Sequence, residues 1–184
     1  MYTDSHCHLS FPELVAQLPD IRQKMHEANV TRALCICTTM EEFDDVHALA
    51  THYDNFWSTV GVHPDNEDIY EPTMADLVQK ANLPRVVAVG ETGLDYYQME
   101  ERKGGRTIQD MEWQRDRFRT HIRAARAVNL PMVIHTRASS DDTLRILKEE
   151  GEVGDSSSAG GVFHCFTRSE ERRVGKECLR LCRS

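Results

Sequence analysis

Two histidines separated by one residue stand near the start of the chain, in the segment Asp4-Ser5-His6-Cys7-His8-Leu9. Side chains alternate between the two faces of a strand, so Asp4, His6 and His8 are expected to project on the same side. Neutral imidazoles on one rigid face are ligands that zinc and related divalent metals favour. The alternative is that two surface histidines alternate by chance, because short motifs produce false positives. The segment therefore suggests a metal site, a hypothesis that needs support from further ligands later in the chain.

Further histidines and one glutamate recur where later apolar segments end. They are His63, Glu91, His135 and His164. In a parallel barrel the carboxyl ends of all strands open on one face, so residues far apart in sequence converge there. A lone histidine at a strand end is usually satisfied by hydrogen bonds, but five strands that share the pattern favour a metal site. Four histidines and a bridging Glu91 could hold two ions. Such a pair, about 3.5–4 Å apart, can activate water and clamp both oxygens of a displacement at phosphorus.

The elements that must position these residues are short apolar strands separated by helical stretches. Strands are predicted at residues 2–9, 31–38, 56–62, 85–90, 131–134 and 162–166, with a long loop over 93–105. Helices are predicted at 74–81, 111–128 and 141–150, after one interrupted by Pro19 and one that opens at a Thr39/Glu42 capping box. This alternation indicates a parallel sheet with helices outside it, either an open doubly wound sheet or part of a (β/α)8 barrel. No Gly-x-Gly-x-x-Gly follows the first strand, so a dinucleotide-binding fold loses support.

The composition is that of one ordinary globular domain, with 184 residues, 40% of them hydrophobic and 28% charged. The chain has no apolar stretch of about 18 residues and no basic-then-apolar leader, so neither a membrane span nor a signal peptide is predicted. The cytoplasm is the predicted location, and the six cysteines are expected to be free thiols. No obligate protein partner is evident.

Charge bears on nucleic-acid binding in two opposite ways. The net charge of −8 argues against non-specific binding of nucleic acid by the whole surface, but not against a local basic groove or against bound metals. The best local basic segment contains Arg102, Lys103, Arg106, Arg115, Arg117, Arg119, Arg123 and Arg126. It either contacts a DNA backbone or is a solvated helix face balanced by Glu112 and Asp116, and the second interpretation is favoured.

Five motifs, in this order along the chain, resemble the TatD family of metal-dependent hydrolases. They are Asp4-Ser5-His6-Cys7-His8-Leu9, Gly61-Val62-His63-Pro64, Gly90-Glu91-Thr92-Gly93-Leu94-Asp95-Tyr96, Pro131-Met132-Val133-Ile134-His135-Thr136-Arg137 and His164-Cys165-Phe166. The resemblance implies an α/β fold, an incomplete TIM (β/α)8 barrel with about six of the eight βα units. It also implies divalent-metal-dependent deoxyribonuclease activity on DNA, often 3′→5′ exonucleolytic.

The same resemblance implies roles for individual residues. The metal ligands would be His6, His8, Glu91, His135 and His164, which would hold two divalent ions (Mg²⁺, Mn²⁺ or Zn²⁺). Glu91 and His63 would be catalytic, and His63 would contact substrate. Arg137 would contact phosphate, unless it is a solvated loop arginine.

The chain departs from the family pattern after Thr167. Complete members carry two more βα units and an Asp in a Thr-Asp-x-Pro-like motif that looks like a ligand and general base, but no Asp follows Asp155 here. A typical barrel has about 250 residues. The predicted organisation is a partial barrel over 1–167 and a basic tail over 168–184 that does not resemble the family, either artefactual sequence or a short amphipathic helix.

Two alternatives to a deoxyribonuclease remain, and the missing Asp favours the second of them for this chain. One is an amidohydrolase that acts on a small cyclic amide or ester with the same metals. The other is an inactive truncated fragment. A barrel that lacks its last strands would expose unpaired edges, so low solubility and weak metal affinity are expected of the chain alone.

Overall fold

Six parallel strands form one curled sheet in the computed structural model, which describes residues 1–97, 99 and 104–165. They are β1 (Tyr2–Cys7), β2 (Val30–Cys35), β3 (Phe56–Val60), β4 (Val86–Asp95), β5 (Met132–Arg137) and β6 (Gly161–His164). Their spatial order follows the sequence from β1 to β6, and every neighbouring pair is parallel. A doubly wound sheet would instead reverse its strand order at a switch point. The prediction of an incomplete (β/α)8 barrel is confirmed.

The helices lie between successive strands. They are α1 (Pro12–Val15), α2 (Leu18–Glu27), α3 (Phe43–His52), α4 (Met74–Ala81), α5 (Glu112–Val128) and α6 (Ser140–Glu149), with a 3₁₀ turn at Ile108–Met111. Pro19 lies in the first turn of α2, where its missing N–H costs nothing. The predicted interruption of the helix is therefore the break between α1 and α2, just before Pro19. Thr39 and Glu42 form both capping-box hydrogen bonds, but regular helix begins only at Phe43.

The main core lies between the sheet and the helices. Its fully buried side chains include Phe43, Phe56, Leu77, Phe118, Ile122 and Ile146. Each such side chain contributes about 1.5–3 kcal/mol when it leaves water. Of the stripe predicted on α5, Phe118, Ile122 and Ala125 are fully buried, while Trp113 is only partly buried against the core. This packing fixes α5 against β4 and α4.

Strand β4 is longer than predicted, and this changes the site. It continues to Asp95, so the prediction of a loop that starts at Gly93 was wrong. Gly93 pairs with His135 of β5, and a Cβ on Gly93 would lie 2.1 Å from the His135 carbonyl oxygen. Glycine is a common turn signal in a sequence, but here it permits two strands to approach closely. The other predicted strand ends differ from the observed ones by a few residues, as is usual.

The remaining expectations concern membranes, thiols and the tail. Within the part of the chain that the structure describes, no helix is both long enough and apolar enough to cross a membrane. Cys7, Cys35, Cys37 and Cys165 are free thiols, as predicted. Cys178, Cys182 and the predicted tail at 168–184 lie outside the described residues.

Candidate metal centre

The carboxyl ends of five strands bring five histidines together around one glutamate. His6 lies in β1, His8 follows it, His63 follows β3, His135 lies in β5 and His164 ends β6. Glu91, in β4, is only 2% exposed and occupies the centre of the group. The convergence expected from the sequence is therefore present in the fold, because parallel strands end on the same face.

The two oxygens of Glu91 face different parts of this cluster. Oε2 lies 3.2 Å from His6 Nε2, and Oε1 lies 3.0 Å from His135 Nδ1. Oε1 is also 3.8 Å from the Nε2 atoms of both His63 and His164. A carboxylate with one oxygen on each side can bridge two ions.

Two sets of three residues have the spacing of metal ligands. One is His6, His8 and Glu91, and the other is His63, Glu91 and His135; in each set one ligand atom per residue lies within 4.8 Å of the others. Bonds from zinc to nitrogen or oxygen are about 2 Å long, so ligand atoms around one ion lie at such separations. Because Glu91 belongs to both sets, the two sites would share it.

His63 is nevertheless better suited to donate a hydrogen bond than to bind a metal. The backbone N–H of Asp65 donates to His63 Nδ1 over 3.0 Å. In a neutral imidazole one nitrogen accepts and the other carries the proton, so Nε2 carries it here. The protonated Nε2 points at His135 Nδ1, 3.2 Å away. This geometry supports the predicted substrate contact of His63 over a ligand role.

His164 lies at the open side of the cluster. Its side chain is 41% exposed, and its ring stacks on that of His6 with centroids 3.6 Å apart. It belongs to neither set of three described above, although its Nε2 faces Glu91. The ligand role predicted for His164 therefore stays a prediction.

Buried imidazole nitrogens without a partner indicate that the cluster fits a metal. Among the described residues, His6 Nε2 and His8 Nδ1 are buried and have no hydrogen-bond partner. The contact between His6 Nε2 and Glu91 is close but forms no hydrogen bond. A buried polar atom without a partner costs about 1–3 kcal/mol, which a bound ion would remove. The donor set of imidazoles and one carboxylate suits zinc or manganese chemistry.

The ionisation of the cluster also suits metal binding. Burial lowers the pKa of His63 to about 4, and burial likewise lowers the pKa values of His8 and His164. Burial alone would raise the pKa of Glu91, but the contacting His135 ring and the nearby His6 and His63 rings hold it well below its usual range. Metal ligands must be neutral imidazoles and ionised carboxylates, so His8, His164 and Glu91 are in the required state at neutral pH. His135 differs: burial alone would lower its pKa, but hydrogen bonds with Asp95 and Glu91 raise it, so this ring has to lose a more tightly held proton when it binds an ion.

Comparison with known proteins places the chain in a family. Residues 3–178 match the family described as TatD related DNase. The chain belongs to the TatD family. YcfH, an uncharacterized metal-dependent hydrolase of Escherichia coli (strain K12), is 38% identical over 172 residues, which are 91% of this chain and 60% of YcfH.

A nuclease and a solved structure are also similar to this TatD-family chain. The 3'-5' ssDNA/RNA exonuclease TatD of Klebsiella pneumoniae (strain 342) is 31% identical over 163 residues, 88% of this chain and 57% of the exonuclease. The crystal structure of YJJV, a TatD homologue from E. coli K12, superposes with a TM-score of 0.71 at 28% identity and covers 81% of this chain and 56% of YJJV. The chain thus spans about three-fifths of the length of the relatives it matches.

Asp95 is a site residue that the sequence analysis missed. Its Oδ2 lies 3.1 Å from His135 Nε2, on the side of the ring away from Glu91. Because β4 runs to Asp95, Glu91 and Asp95 lie on the same face by strand alternation. The spacing in the motif could have indicated this role, because residues 91, 93 and 95 lie on the same face of a continuous strand. The predicted loop at Gly93 ended the strand too early for Asp95 to be considered.

Arg137 is the last residue of β5 and not a loop residue. Its guanidinium stacks over the Tyr97 ring at 3.7 Å, and its Nη1 lies 3.8 Å from Asp95 Oδ2. A charged guanidinium held beside the cluster is placed to meet an anion, but this contact stays a prediction.

Helix α5 holds the segment that carries His63, through two residues the sequence analysis did not single out for this role. Arg117 Nη1 donates to the carbonyl oxygens of His63, at 2.9 Å, and Asn66, at 2.8 Å. His121 Nε2 accepts from the Val62 N–H over 3.0 Å, while its Nδ1–H donates to the Arg117 carbonyl over 2.8 Å. Both side chains are buried. The loop after β3 is therefore fixed by polar contacts from the helix.

The basic segment around α5 is largely neutralised by carboxylates. The described members each pair with an acidic side chain: Arg106 with Glu67, Arg115 with Glu112, Arg117 with Glu71, Arg119 with Glu112 and Asp116, Arg123 with Glu150, and Arg126 with Glu152. This pairing supports the interpretation of the segment as a charge-balanced helix face over its interpretation as a DNA-binding groove. Arg115 and Arg117, however, are buried and not solvated. Arg102 and Lys103 lie outside the described residues.

Stability should depend on pH through His121. Burial lowers the pKa of His121 to about 4, below the value of about 6.5 for an unfolded histidine. The neutral ring therefore contributes stability that is complete above about pH 6.5 and is lost as pH falls toward about 4, by about 3 kcal/mol in all. Urea unfolding of the wild type and of His121→Gln, from about pH 7 to about pH 4, should show this loss only in the wild type. Parallel pH profiles would contradict the prediction, because the other histidines titrate in both proteins.

Proposed function

We propose that the protein is a divalent-metal-dependent hydrolase that cleaves phosphodiester bonds in DNA, and that its specific action is 3′→5′ exonucleolytic. The observation that carries the proposal is the central Glu91, with one oxygen facing His6 and the other facing His135. Two divalent ions, Mg²⁺, Mn²⁺ or Zn²⁺, held around one carboxylate would neutralise charge at phosphorus and lower the pKa of a water molecule. The similarity to the Klebsiella 3'-5' ssDNA/RNA exonuclease supports nucleic acid as the substrate class.

The proposed ligand set contains the imidazoles nearest to Glu91. His6 and His8 share the first ion with Glu91, which is supported by their unpartnered buried nitrogens. His135, whose Nδ1 faces Glu91, would hold the second ion together with Glu91, and His164 would complete that site. The neutral imidazoles leave the positive charge to the ions, so the site attracts a polyanion although the chain carries a net charge of −8.

His63 and Arg137 would contact the substrate. The Asp65 N–H donates to Nδ1 of His63, so the ring proton lies on Nε2. The Nε2–H points into the cluster, where it would donate to a phosphate oxygen. A donor placed there orients the phosphodiester and stabilises charge that develops on its oxygens. Arg137 is 30% exposed, and Tyr97 supports its guanidinium, so it would bind a second phosphate oxygen or the next phosphate along the strand.

The free thiols remain consistent with the predicted cytoplasmic location.

The proposal predicts metal-dependent and directional degradation of DNA. A single-stranded oligonucleotide labelled at its 5′ end should shorten stepwise with Mg²⁺ or Mn²⁺, and a 3′ label should be released in the first step. A chelator should reduce the rate by at least about 10²-fold, because water activation and charge neutralisation are lost together. Gel analysis of both labelled strands measures this result.

The other outcomes separate the alternatives. Equal rates with and without chelator would exclude the metal mechanism. Hydrolysis of a dihydropyrimidine without DNA cleavage would favour an amidohydrolase, and Mn²⁺ binding without either activity would favour an inactive fragment.

A further inference from the structure

Asp95 is a buried carboxylate that the proposed ligand set does not use. It ends β4, and its side chain is 1% exposed. Oδ1 accepts a hydrogen bond from the Tyr97 N–H over 2.9 Å, and Oδ2 lies 3.1 Å from His135 Nε2. Burial of a charge is costly unless it is well paired, so a carboxylate retained here points to a role in the site.

His135 stands between two carboxylates, one at each ring nitrogen. Glu91 Oε1 is 3.0 Å from Nδ1, and Asp95 Oδ2 faces Nε2. The protonated Nε2 of His63 also faces Nδ1, over 3.2 Å, so Nδ1 accepts a hydrogen bond and the ring proton lies on Nε2, facing Asp95. The lone pair of Nδ1 is then the one available to an ion. We propose that Asp95 is a positioning residue that fixes the tautomer and orientation of His135, so that Nδ1 faces the metal centre. This inference rests on the metal-dependent function proposed above.

Asp95 is itself held by a rigid frame. Its backbone N–H donates to Gln114 Oε1 over 3.0 Å, and Gln114 Nε2 donates to the Pro64 carbonyl over 2.8 Å. Gln114 is fully buried on α5, and Pro64 directly follows His63. The frame thus connects β4, α5 and the loop after β3, and it fixes the position of His135 relative to that of His63. A carboxylate in such a frame can hold an imidazole in one orientation.

Replacement of Asp95 with asparagine tests the tautomer directly. Asparagine has the same shape but only one acceptor oxygen. If that oxygen keeps the hydrogen bond from Tyr97, the amide N–H₂ faces His135 Nε2 and moves the ring proton to Nδ1. Nitrogen-15 NMR of the metal-free chain, at alkaline pH where the ring is neutral, should show an Nε2–H tautomer for His135 in the wild type and an Nδ1–H tautomer in Asp95→Asn.

Zn²⁺ affinity provides the second measurement. Loss of a partner that orients a metal-bound histidine reduces metal affinity by about 10–100-fold, so calorimetric titration of Asp95→Asn with Zn²⁺ should show this loss at one of two sites. Asp142→Asn is the matched control, because Asp142 bonds to Tyr96 and Arg145 but not to the histidines. The control should bind Zn²⁺ as the wild type does.

Several results would overturn the proposal. They are an Nδ1–H tautomer in the wild type, no binding of Zn²⁺ by the wild type, or unchanged Zn²⁺ affinity in a folded Asp95→Asn protein. The wild-type NMR measurement needs no variant, so a variant that fails to fold leaves the test decisive. The two proposals can also fail separately. If the wild type cleaves no DNA but Asp95→Asn still reduces Zn²⁺ affinity, the role of Asp95 is supported and the nuclease function is rejected. If the wild type cleaves DNA but His135 is the Nδ1–H tautomer, the nuclease function is supported and the role of Asp95 is rejected.

Discussion

Glu91→Gln is expected to reduce metal-dependent DNA hydrolysis by at least about 10³-fold, which corresponds to about 4 kcal/mol of lost transition-state stabilisation. The effect is large because Glu91 lies in both sets of three residues with metal-ligand spacing and is the ligand shared by both proposed sites, so a single substitution would weaken both at once. Glutamine keeps the shape of the side chain but removes the negative charge that a divalent ion requires. Mn²⁺ binding should fall together with the rate.

The matched control for this substitution is Glu152→Gln. Glu152 is also 2% exposed, but it precedes β6 and faces Arg126 and the Gly160 N–H at the opposite end of the strands. Its replacement should leave Mn²⁺ affinity unchanged. Measurement of Mn²⁺ affinity and initial rates in both variants separates loss of the site from general destabilisation. Wild-type Mn²⁺ affinity in a folded Glu91→Gln protein would show that the carboxylate is not a shared ligand.

The main features of the cluster could be predicted from the sequence because they follow from a simple rule. Strands in a parallel barrel end on one face, so a histidine or glutamate at each strand end predicts convergence whatever the intervening helices do. His6, Glu91 and His135 are brought together as this rule requires. Alternating strands and helices predicted a parallel sheet with helices outside it, but the resemblance to the TatD family was what favoured an incomplete barrel over an open doubly wound sheet.

Other parts of the site depend on contacts that no local pattern reports. Periodicity predicts α5 and most of its apolar stripe, but the helix also buries Gln114, Arg117 and His121. Their partners, Asp95 and the loop after β3, are distant in sequence. A buried polar residue on a helix has no sequence signature that separates it from an exposed one, so these positioning contacts appear only in three dimensions.

Strand pairing also bears on stability outside the site. Within residues 1–97, 99 and 104–165, β1 and β6 each have a neighbour on one side only. Residues 2–5 of β1 are all exposed. Unpaired backbone groups at a sheet edge promote association with other chains. The low solubility expected of the chain alone therefore remains a prediction, which light scattering of the purified protein would check.

Gly93→Ala is expected to lower the free energy of unfolding by more than about 4 kcal/mol. This is an exceptionally large loss for a substitution that adds one methyl group. Gly93 has a φ of +125°, where a side chain is strained. The added Cβ would lie 2.1 Å from the His135 carbonyl oxygen and 3.0 Å from its carbonyl carbon. Both atoms belong to the backbone of β5, so the clash cannot be relieved by rotation of a side chain. The strands would have to separate where Gly93 pairs with His135.

Gly105→Ala is the control that separates strain from collision. Gly105 also has a positive φ, +75°, but a Cβ there would meet no atom of the described residues within 4 Å. Its replacement should cost only the left-handed backbone penalty, about 1–2 kcal/mol. Urea unfolding of both variants measures the difference, and equal losses would show that β4 and β5 tolerate the methyl group. Zn²⁺ affinity should fall in Gly93→Ala and not in Gly105→Ala, because separation of the two strands moves His135 away from Glu91. The close approach at Gly93 therefore connects the stability of the sheet to the geometry of the metal centre.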